Sequence, residues 1–209
     1  MKKKPYSLCV SGSAIEVDGP ASVKKAFEIG KAIAKAGAVL TNGATTGMPF
    51  EAARGAKSVG GMVIGWSPAI TKREHVGKYK LPLDYLDFTV YTGAGYVGRD
   101  MMLVRASDAV FIVSGRIGTL NEFSIAFEDK KPIGVLMGTG GITNELKDML
   151  KAAHHPRSHH IFFDTDPDRL VKTIIKVLDK ERGQLEVLDK SNHASNRYHG
   201  LTAKTAVPD

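Results

Sequence analysis

The stretch DAVFIVSGRIGTLNEF, residues 108–123, joins an apolar run to a helical pattern through a short turn that contains Gly115 and Gly118. The run shows no polar alternation, which is typical of a strand buried on both faces of a parallel sheet. Glycines between a strand and a helix allow a tight turn and a close approach of the backbone to a ligand. This stretch therefore predicts one strand–turn–helix unit of an α/β fold.

The same alternation of apolar runs and helical patterns continues along most of the chain. Strands are expected at 6–12, 38–43, 61–68, 88–93, 108–115, 132–138 and 161–166, and helices at 22–36, 49–58, 98–106, 119–128, 143–152 and 168–180. This order predicts a mainly parallel sheet covered by helices on both sides, a three-layer sandwich of the α/β class. Because ligands of such sheets bind at the carboxyl ends of the strands, the polar and glycine-rich stretches there are the candidate site.

The composition is that of a globular chain, with 209 residues of which 43% are apolar and 24% are charged. We expect a single domain over residues 1–183 and a polar, flexible tail over 184–209. The net charge of +7 favours anionic ligands in general. The single cysteine excludes an internal disulfide framework and suits a reducing cytoplasm. No apolar run approaches the ~18 residues of a membrane span, so a cytoplasmic location is expected.

The turn at residues 114–119 has the chemistry of an anion site. Gly115 and Gly118 allow close backbone approach, Ser114 and Thr119 add hydroxyl groups, and the following helix start offers unpaired N–H groups. The turn is neither a Walker motif nor the dinucleotide fingerprint, because G-K-[ST] is absent and the glycine spacing differs. Tight packing of a helix on the sheet is the alternative explanation for the glycines.

Glu122 follows this turn about one helical turn after Thr119. A carboxylate would repel a bound phosphate, so it is a poor ligand for the anion itself. An acid, a base or an acceptor for a sugar hydroxyl is the functional interpretation. The alternative is a first-turn glutamate that complements the helix dipole.

Several stretches together resemble one family. SGRIGTLNE matches the pattern P-G-G-x-G-T-x-x-E at Gly115, Gly118, Thr119 and Glu122, and GRDMMLVRASDAVFIVSG supplies Arg99 at the position of a family arginine. TNGATTGMPFEAARGAKSVGGMVIGWSP resembles the family's glycine-rich loop and helix, and VSGS its N-terminal turn. The chain thus resembles the LOG (Lonely Guy) family of the SLOG superfamily, formerly labelled "possible lysine decarboxylase", over about residues 6–180.

The resemblance implies a Rossmann-like fold, a homodimer or larger homo-oligomer, and no organic cofactor. It implies hydrolysis of the N-glycosidic bond of a nucleoside 5′-monophosphate, giving free base and ribose 5-phosphate, with Arg99 and Glu122 as the catalytic pair. The expected partner is such a nucleotide or a similar phosphorylated small molecule, with neither a metal nor a membrane involved, and nucleic acid is not expected. The candidate binding residues are Ser13, Gly43, Thr45, Thr46, Gly47, Ser114, Gly115, Arg116, Gly118 and Thr119.

Three departures from the family pattern leave a second function open. Ser114 and Arg116 replace the family's proline and second glycine, and Asp100 replaces the lysine after the arginine. Arg116 either blocks backbone approach to a phosphate or supplies a second cation to it. The alternative function is a non-catalytic sensor or carrier of a nucleotide or phosphorylated ligand on the same fold. The old decarboxylase label lacks support, because no motif nominates a Schiff-base lysine.

Three further stretches have a structural and a functional interpretation. HHPRSHH, residues 154–160, is more typical of a surface loop than of a metal site, because Pro156 indicates a loop. The basic segment 69–84 is expected to be a solvated loop, or else a lid over an anionic ligand. Trp66 is expected to pack in or near the core, with base stacking as the alternative.

Overall fold

The computed structural model describes residues 4–15, 19–155 and 160–202, with side chains described as far as residue 185. Seven strands form one parallel sheet: β1 (Ser7–Gly12), β2 (Val39–Asn42), β3 (Val63–Ser67), β4 (Phe88–Tyr91), β5 (Ala109–Val113), β6 (Ile133–Leu136) and β7 (Ile161–Asp164). The spatial order is β4-β3-β2-β1-β5-β6-β7, and every neighbouring pair is parallel. The predicted α/β fold with a parallel sheet is confirmed.

Helices connect the strands throughout the sheet. They are α1 (Gly19–Lys35), α2 (Met48–Lys57), α3 (Lys72–Gly77), α4 (Gly95–Ala106), α5 (Ile117–Glu128), α6 (Leu146–Ala152) and α7 (Pro167–Thr202), with a 3₁₀ turn at Gly141–Asn144 before α6. All six expected helices are present, although the one expected at 143–152 divides into the 3₁₀ turn and α6.

Helix α3 differs from the solvated loop or lid expected over residues 69–84. Thr71 begins the helix by accepting a hydrogen bond from the backbone N–H of Glu74, which is an N-cap. Tyr79, just after α3, meets the ring of Tyr96 edge-on at a centroid distance of 5.5 Å. The segment is therefore ordered and anchored to α4.

The chain divides into two compact units, Met1–Ile174 and Ile175–Asp209. The first contains the whole sheet, and the second begins within α7. Helix α7 continues to Thr202, so it includes residues 184–202 of the expected polar, flexible tail, and residues 203–209 lie outside the described residues. Extending an existing helix costs less than starting a new one, so a helix continues where no apolar periodicity marks it. The boundary at residue 183 stays a prediction.

The core of the first unit surrounds the central strands. One cluster joins Cys9, Val110, Ile112 and Val135 of the sheet to apolar residues of α4, α5 and α6. All five residues of β5 are buried, as the run without polar alternation predicted. Within the described part of the chain, no helix has the length and apolar character needed to cross a membrane.

The strand order places a topological switch point between β1 and β5. From β1 the chain adds β2, β3 and β4 on one side, then returns through α4 to add β5, β6 and β7 on the other. At such a point the connections leave in opposite directions and open a crevice at the carboxyl ends of the two strands, where ligands bind in this class of fold.

Candidate functional site

A cleft of about 400 Å³ lies at this switch point. Four segments line it: the end of β1 and the following loop, the loop before α2, the first part of α4, and the turn into α5. The lining includes Ser11, Ser13, Ile15, Gly43, Thr45, Tyr96, Arg99, Asp100, Arg116, Ile117, Gly118, Thr119 and Glu122. The fold therefore brings the two expected catalytic residues to one cavity.

Glu122 lies buried at the floor of the cleft, with 6% of its surface exposed. It is the sixth residue of α5 and thus lies beyond the first turn, where a glutamate would complement the helix dipole. The Ser11 hydroxyl donates a hydrogen bond to its Oε2 atom. Burial is the main cause that raises the pKa of Glu122, to about 7, and Asp100 raises it further while Arg99 and Ser11 lower it.

Arg99 is buried beside this carboxyl. Its Nη1 atom is 3.9 Å from Oε1 of Glu122, and its Nε atom is 3.4 Å from Oδ1 of Asp100. Among the described residues, Nε has no partner in hydrogen-bond geometry. The guanidinium also lies 5.9 Å from the ring centroid of Tyr96, a further wall of the cleft. Arg99 is thus held by two carboxyls and an aromatic face.

Gly43 makes room for this guanidinium. A Cβ atom on Gly43 would lie 1.5 Å from Nη1 of Arg99, so any other residue would displace the arginine. The neighbouring Asn42 shapes the loop, because its side chain donates to the carbonyl of Pro49 and accepts from the N–H of Ala44. Gly43 therefore leaves the space that the Arg99 guanidinium occupies, whereas the sequence suggested only a contact with the ligand.

Thr46 and Gly47, two other expected binding residues, tie the α2 loop to the loop after β1. The Thr46 hydroxyl donates to the carbonyl of Ala14 at 2.7 Å, and Gly47 has a φ of +70°. A Cβ atom on Gly47 would lie 2.2 Å from the carbonyl oxygen of Ser13. By contrast, Ser13 and Thr45 line the cleft itself. The structure thus divides this group into two cleft residues and two loop-packing residues.

The expected binding residues of the turn into α5 also fall into two groups, those that line the cleft and those that shape the turn. Ser114 has a φ of +57° and is fully buried, and its N–H donates to the Thr139 hydroxyl at 2.8 Å. Gly115 has a φ of +115°, and a Cβ there would meet the side chain of Thr119. Gly118 differs, because a Cβ atom there would enter open space. Arg116, Gly118 and Thr119 line the cleft at the N-terminus of α5, whereas Ser114 and Gly115 shape the turn.

Sequence reasoning missed Ser11 and the rim of the cleft. Ser11 is a polar residue near the end of a buried strand, which is the signal that could have found it. Ile15 and Ile117 are exposed apolar side chains around the cavity, and no local pattern marks them because they come together only through the packing of two separate segments. Tyr96, which flanks Arg99 in the sequence and was a candidate for the pocket entrance, also lines the cleft.

Trp66 and the histidine-rich stretch 154–160 are the two remaining candidates. Trp66 packs against the core cluster, as expected for a structural residue, and its Nε1 finds no hydrogen-bond partner among the described residues. In the histidine-rich stretch, residues 156–159 lie outside the described residues, and the ring of His155 packs on Phe127. Nowhere in the described ranges do three His, Cys, Asp or Glu side chains meet in a group that could hold a metal ion.

The fold and the cleft define a Rossmann-like α/β protein with a buried carboxyl–guanidinium cluster at its switch point. The model of the SLOG cluster4 family matches residues 6–171, and the chain belongs to this family. The expected membership of the SLOG superfamily is confirmed. An uncharacterized protein of Archaeoglobus fulgidus is 35% identical over 111 residues, covering 53% of this chain and 68% of that protein.

Solved structures with the same fold include two proteins that bind a cofactor. The molybdenum cofactor binding protein of Rippkaea orientalis has a TM-score of 0.68 and 26% identity, covering 85% of this chain and 99% of its own. The Moco carrier protein of Chlamydomonas reinhardtii has a TM-score of 0.68 and 25% identity, with coverage of 85% and 99%. These neighbours support a ligand-binding role for the fold.

A more distant structure shares the fold alone. The DNA processing protein A of Helicobacter pylori has a TM-score of 0.57 and 19% identity, covering 82% of this chain and 81% of its own. That protein binds single-stranded DNA. The expectation that nucleic acid is not a partner of this chain stays a prediction.

Proposed function

We propose that this protein binds a nucleoside 5′-monophosphate in the cleft and hydrolyses its N-glycosidic bond, giving the free base and ribose 5-phosphate. The observation that carries the proposal is the setting of Glu122, a buried carboxyl with a pKa of about 7 and an arginine 3.9 Å away, at the floor of a cleft beside a helix N-terminus. A group that is half protonated near neutral pH is suited to acid–base catalysis.

The phosphate is assigned to the N-terminus of α5. Gly118 and Thr119 lie in its first turn, where backbone N–H groups are unpaired and the helix dipole is positive. The open space at Gly118 lets a phosphate oxygen approach the backbone, and Arg116 lines the same part of the cleft. In this assignment Arg116 supplies a second cation.

The glycosidic bond is assigned to the floor of the cleft. Breaking a bond between the sugar carbon and a base nitrogen develops positive charge on the ribose ring, which carboxylates stabilise. Glu122 exchanges a proton with the leaving base or the attacking water, and Arg99 binds substrate oxygens. Ser11 holds Oε2 of Glu122, so the carboxyl has a fixed orientation.

The experiment is a turnover assay on a panel of nucleoside 5′-monophosphates, with free base measured by chromatography. Glu122→Gln is expected to lower turnover at least a hundredfold, because it removes the acid–base group but keeps the shape of the side chain. Glu128→Gln is the matched control, since Glu128 is an exposed residue of the same helix. Arg99→Lys is compared with Arg105→Lys, because Arg105 lies in the same helix, α4, with an exposed side chain.

Base release by the wild type and by both controls, with loss in Glu122→Gln, supports the hydrolase. Equal turnover in the wild type and Glu122→Gln rules out the assigned role of Glu122. A complete lack of turnover over the whole panel rejects hydrolysis, and ligand binding without conversion then remains as the function.

The second candidate is a carrier or sensor that binds a phosphorylated or other anionic organic ligand without converting it. The cofactor-binding structural neighbours at 25–26% identity favour it. The α5 N-terminus, Arg99 and Arg116 form a cationic lining that suits an anionic ligand of either kind. This candidate predicts that a ligand raises the melting temperature with no product formed. The homo-oligomeric state and the cytoplasmic location also stay predictions.

A further inference from the structure

Two carboxyl groups meet at the floor of the cleft beside a single guanidinium. Asp100 and Glu122 are 5% and 6% exposed, and both carboxyls lie beside the Arg99 guanidinium, Asp100 at 3.4 Å and Glu122 at 3.9 Å. Two buried carboxylates beside one cation repel each other strongly. Arg99 balances only one negative charge. The cluster therefore reaches neutrality when it holds one proton.

The contacts of the two carboxyls indicate which of them carries that proton. Oδ2 of Asp100 accepts a hydrogen bond from Nδ2 of Asn121 at 3.0 Å, and its Oδ1 lies 3.4 Å from Nε of Arg99. Among the described residues, the Ser11 hydroxyl is the one hydrogen-bond donor to Glu122, which also lies farther from Arg99, at 3.9 Å. Asp100 thus has the closer contacts with positive and hydrogen-donating groups.

No other group of the described residues places a second positive charge within 4 Å of Glu122. From β1, Cys9 lies in the buried layer below, and burial holds the pKa of its thiol well above the ordinary value, so it stays neutral. Arg116, at the turn into α5, lines the cleft and carries the other nearby positive charge. Within the described residues, the cluster is therefore governed by Arg99, Asp100 and Ser11.

We propose that Asp100 and Glu122 share one proton at neutral pH, held on Glu122, and that Asp100 is the positioning residue that keeps it there. The floor of the cleft then presents a carboxylic acid and not a second carboxylate. This removes the repulsion that an ionised Glu122 would exert on a bound phosphate. The family lysine at the position of Asp100 would have the opposite effect and favour an ionised glutamate.

The proposal also assigns the order of proton transfers, and this part rests on the proposed function. The bond between the sugar carbon and the base nitrogen breaks with its electron pair going to the base, which takes the proton from Glu122. Water then adds to the sugar carbon and gives a proton to the Glu122 carboxylate. The sum is nucleotide and water converted to base and ribose 5-phosphate, with the shared proton restored.

The test is infrared spectroscopy of the whole protein, in which the C=O stretch of a carboxylic acid is separate from that of a carboxylate. We expect an acid band at neutral pH that disappears on titration around pH 7 and is absent from Glu122→Gln. Asp100→Asn removes the repelling charge and is expected to lower the midpoint by about one pH unit or more. Asn121→Ala removes the hydrogen-bond donor to Asp100, so part of the shared proton is expected to move onto Asp100 and the midpoint of the pair to rise.

Opposite shifts in these two variants cannot arise from general loosening of the fold, which would move both in the same direction. Glu128→Gln, on the exposed side of α5, is the control that leaves the band unchanged. The proposal is overturned by a wild-type spectrum without the band at neutral pH, or by an unchanged midpoint in a folded Asp100→Asn protein. Because the infrared band is measured without turnover, its result is independent of whether the protein hydrolyses nucleotides.

Discussion

Gly43 determines the position of Arg99 although it has no side chain. A Cβ atom there would overlap Nη1, which is the mobile end of a long side chain, so the arginine moves while the backbone stays. We expect Gly43→Ala to fold with little change in melting temperature and to weaken ligand binding about tenfold, equivalent to ~1.4 kcal/mol. Thermal unfolding and titration with a nucleoside monophosphate measure the two effects.

The control for Gly43→Ala is Gly77→Ala. A Cβ atom on Gly77 has no protein atom within 4 Å, and the residue ends α3 outside the cleft. Its ligand affinity is expected to equal that of the wild type. Equal affinity in Gly43→Ala would show that the placement of Arg99 does not contribute to binding.

The two glycines of the opening turn are expected to respond differently to alanine. Gly115 has a φ of +115° and a Cβ there would lie 2.6 Å from Thr119, so Gly115→Ala is expected to destabilise the protein by about 2 kcal/mol. Gly118 lies in the first turn of a helix with open space at its Cβ, so Gly118→Ala keeps the stability but narrows the phosphate site. Urea unfolding and competition by inorganic phosphate measure the contrast. Normal phosphate competition in Gly118→Ala would place the anion elsewhere.

At the scale of elements, the close approach of α1 and α2 depends on two glycines. A Cβ atom on Gly30 would lie 1.8 Å from the carbonyl oxygen of Ala52, and one on Gly55 would lie 1.9 Å from that of Phe27. Backbone atoms cannot move aside as a side-chain end can, so the two helices would have to separate. The loop that carries Gly43 leads directly into α2, so this packing also positions the site.

We expect Gly30→Ala to lower the free energy of unfolding by about 3 kcal/mol, because it forces apart two helices packed backbone to backbone. Denaturant unfolding measures this loss, with Gly77→Ala as the matched glycine substitution in open space. A loss below about 0.5 kcal/mol would show that α1 and α2 can repack without the glycine.

At the scale of the whole molecule, the buried acid makes stability depend on pH. The pKa of Glu122 is about 7 in the folded protein and near 4.5 in an unfolded chain. The folded state therefore binds one more proton between these values, and the free energy of unfolding falls as pH rises from 4.5 to 7. The full shift corresponds to a loss on the order of 3 kcal/mol.

This pH dependence is expected to disappear in Glu122→Gln, which cannot ionise, and to persist in Glu128→Gln. Urea unfolding at intervals between pH 4.5 and pH 8 measures the slope. A wild-type stability that rises over this window would show that Glu122 is ionised in the folded protein, because an ordinary paired carboxylate has the opposite sign.

The arrangement of elements along the chain was largely readable from sequence because it depends on local patterns. Short apolar runs marked all seven strands, and residues 108–123 formed the expected strand, turn and helix. The prediction was wrong where local pattern was weak. Helix α3 starts from a single N-cap, and the last part of α7 has no apolar periodicity to distinguish it from a tail.

The sequence by itself determined the parallel α/β class and the glycine turn before α5. The family resemblance added the expectation that Glu122 and Arg99 form a pair. Only the tertiary structure decided that Ser11, 111 residues away in the chain, donates to Glu122, and that Asp100 and Glu122 lie beside the same arginine. The strand order β4-β3-β2-β1-β5-β6-β7 brings the ends of β1 and β5 together. Burial and neighbouring charge set the ionisation of a carboxyl, and both arise only when distant segments pack.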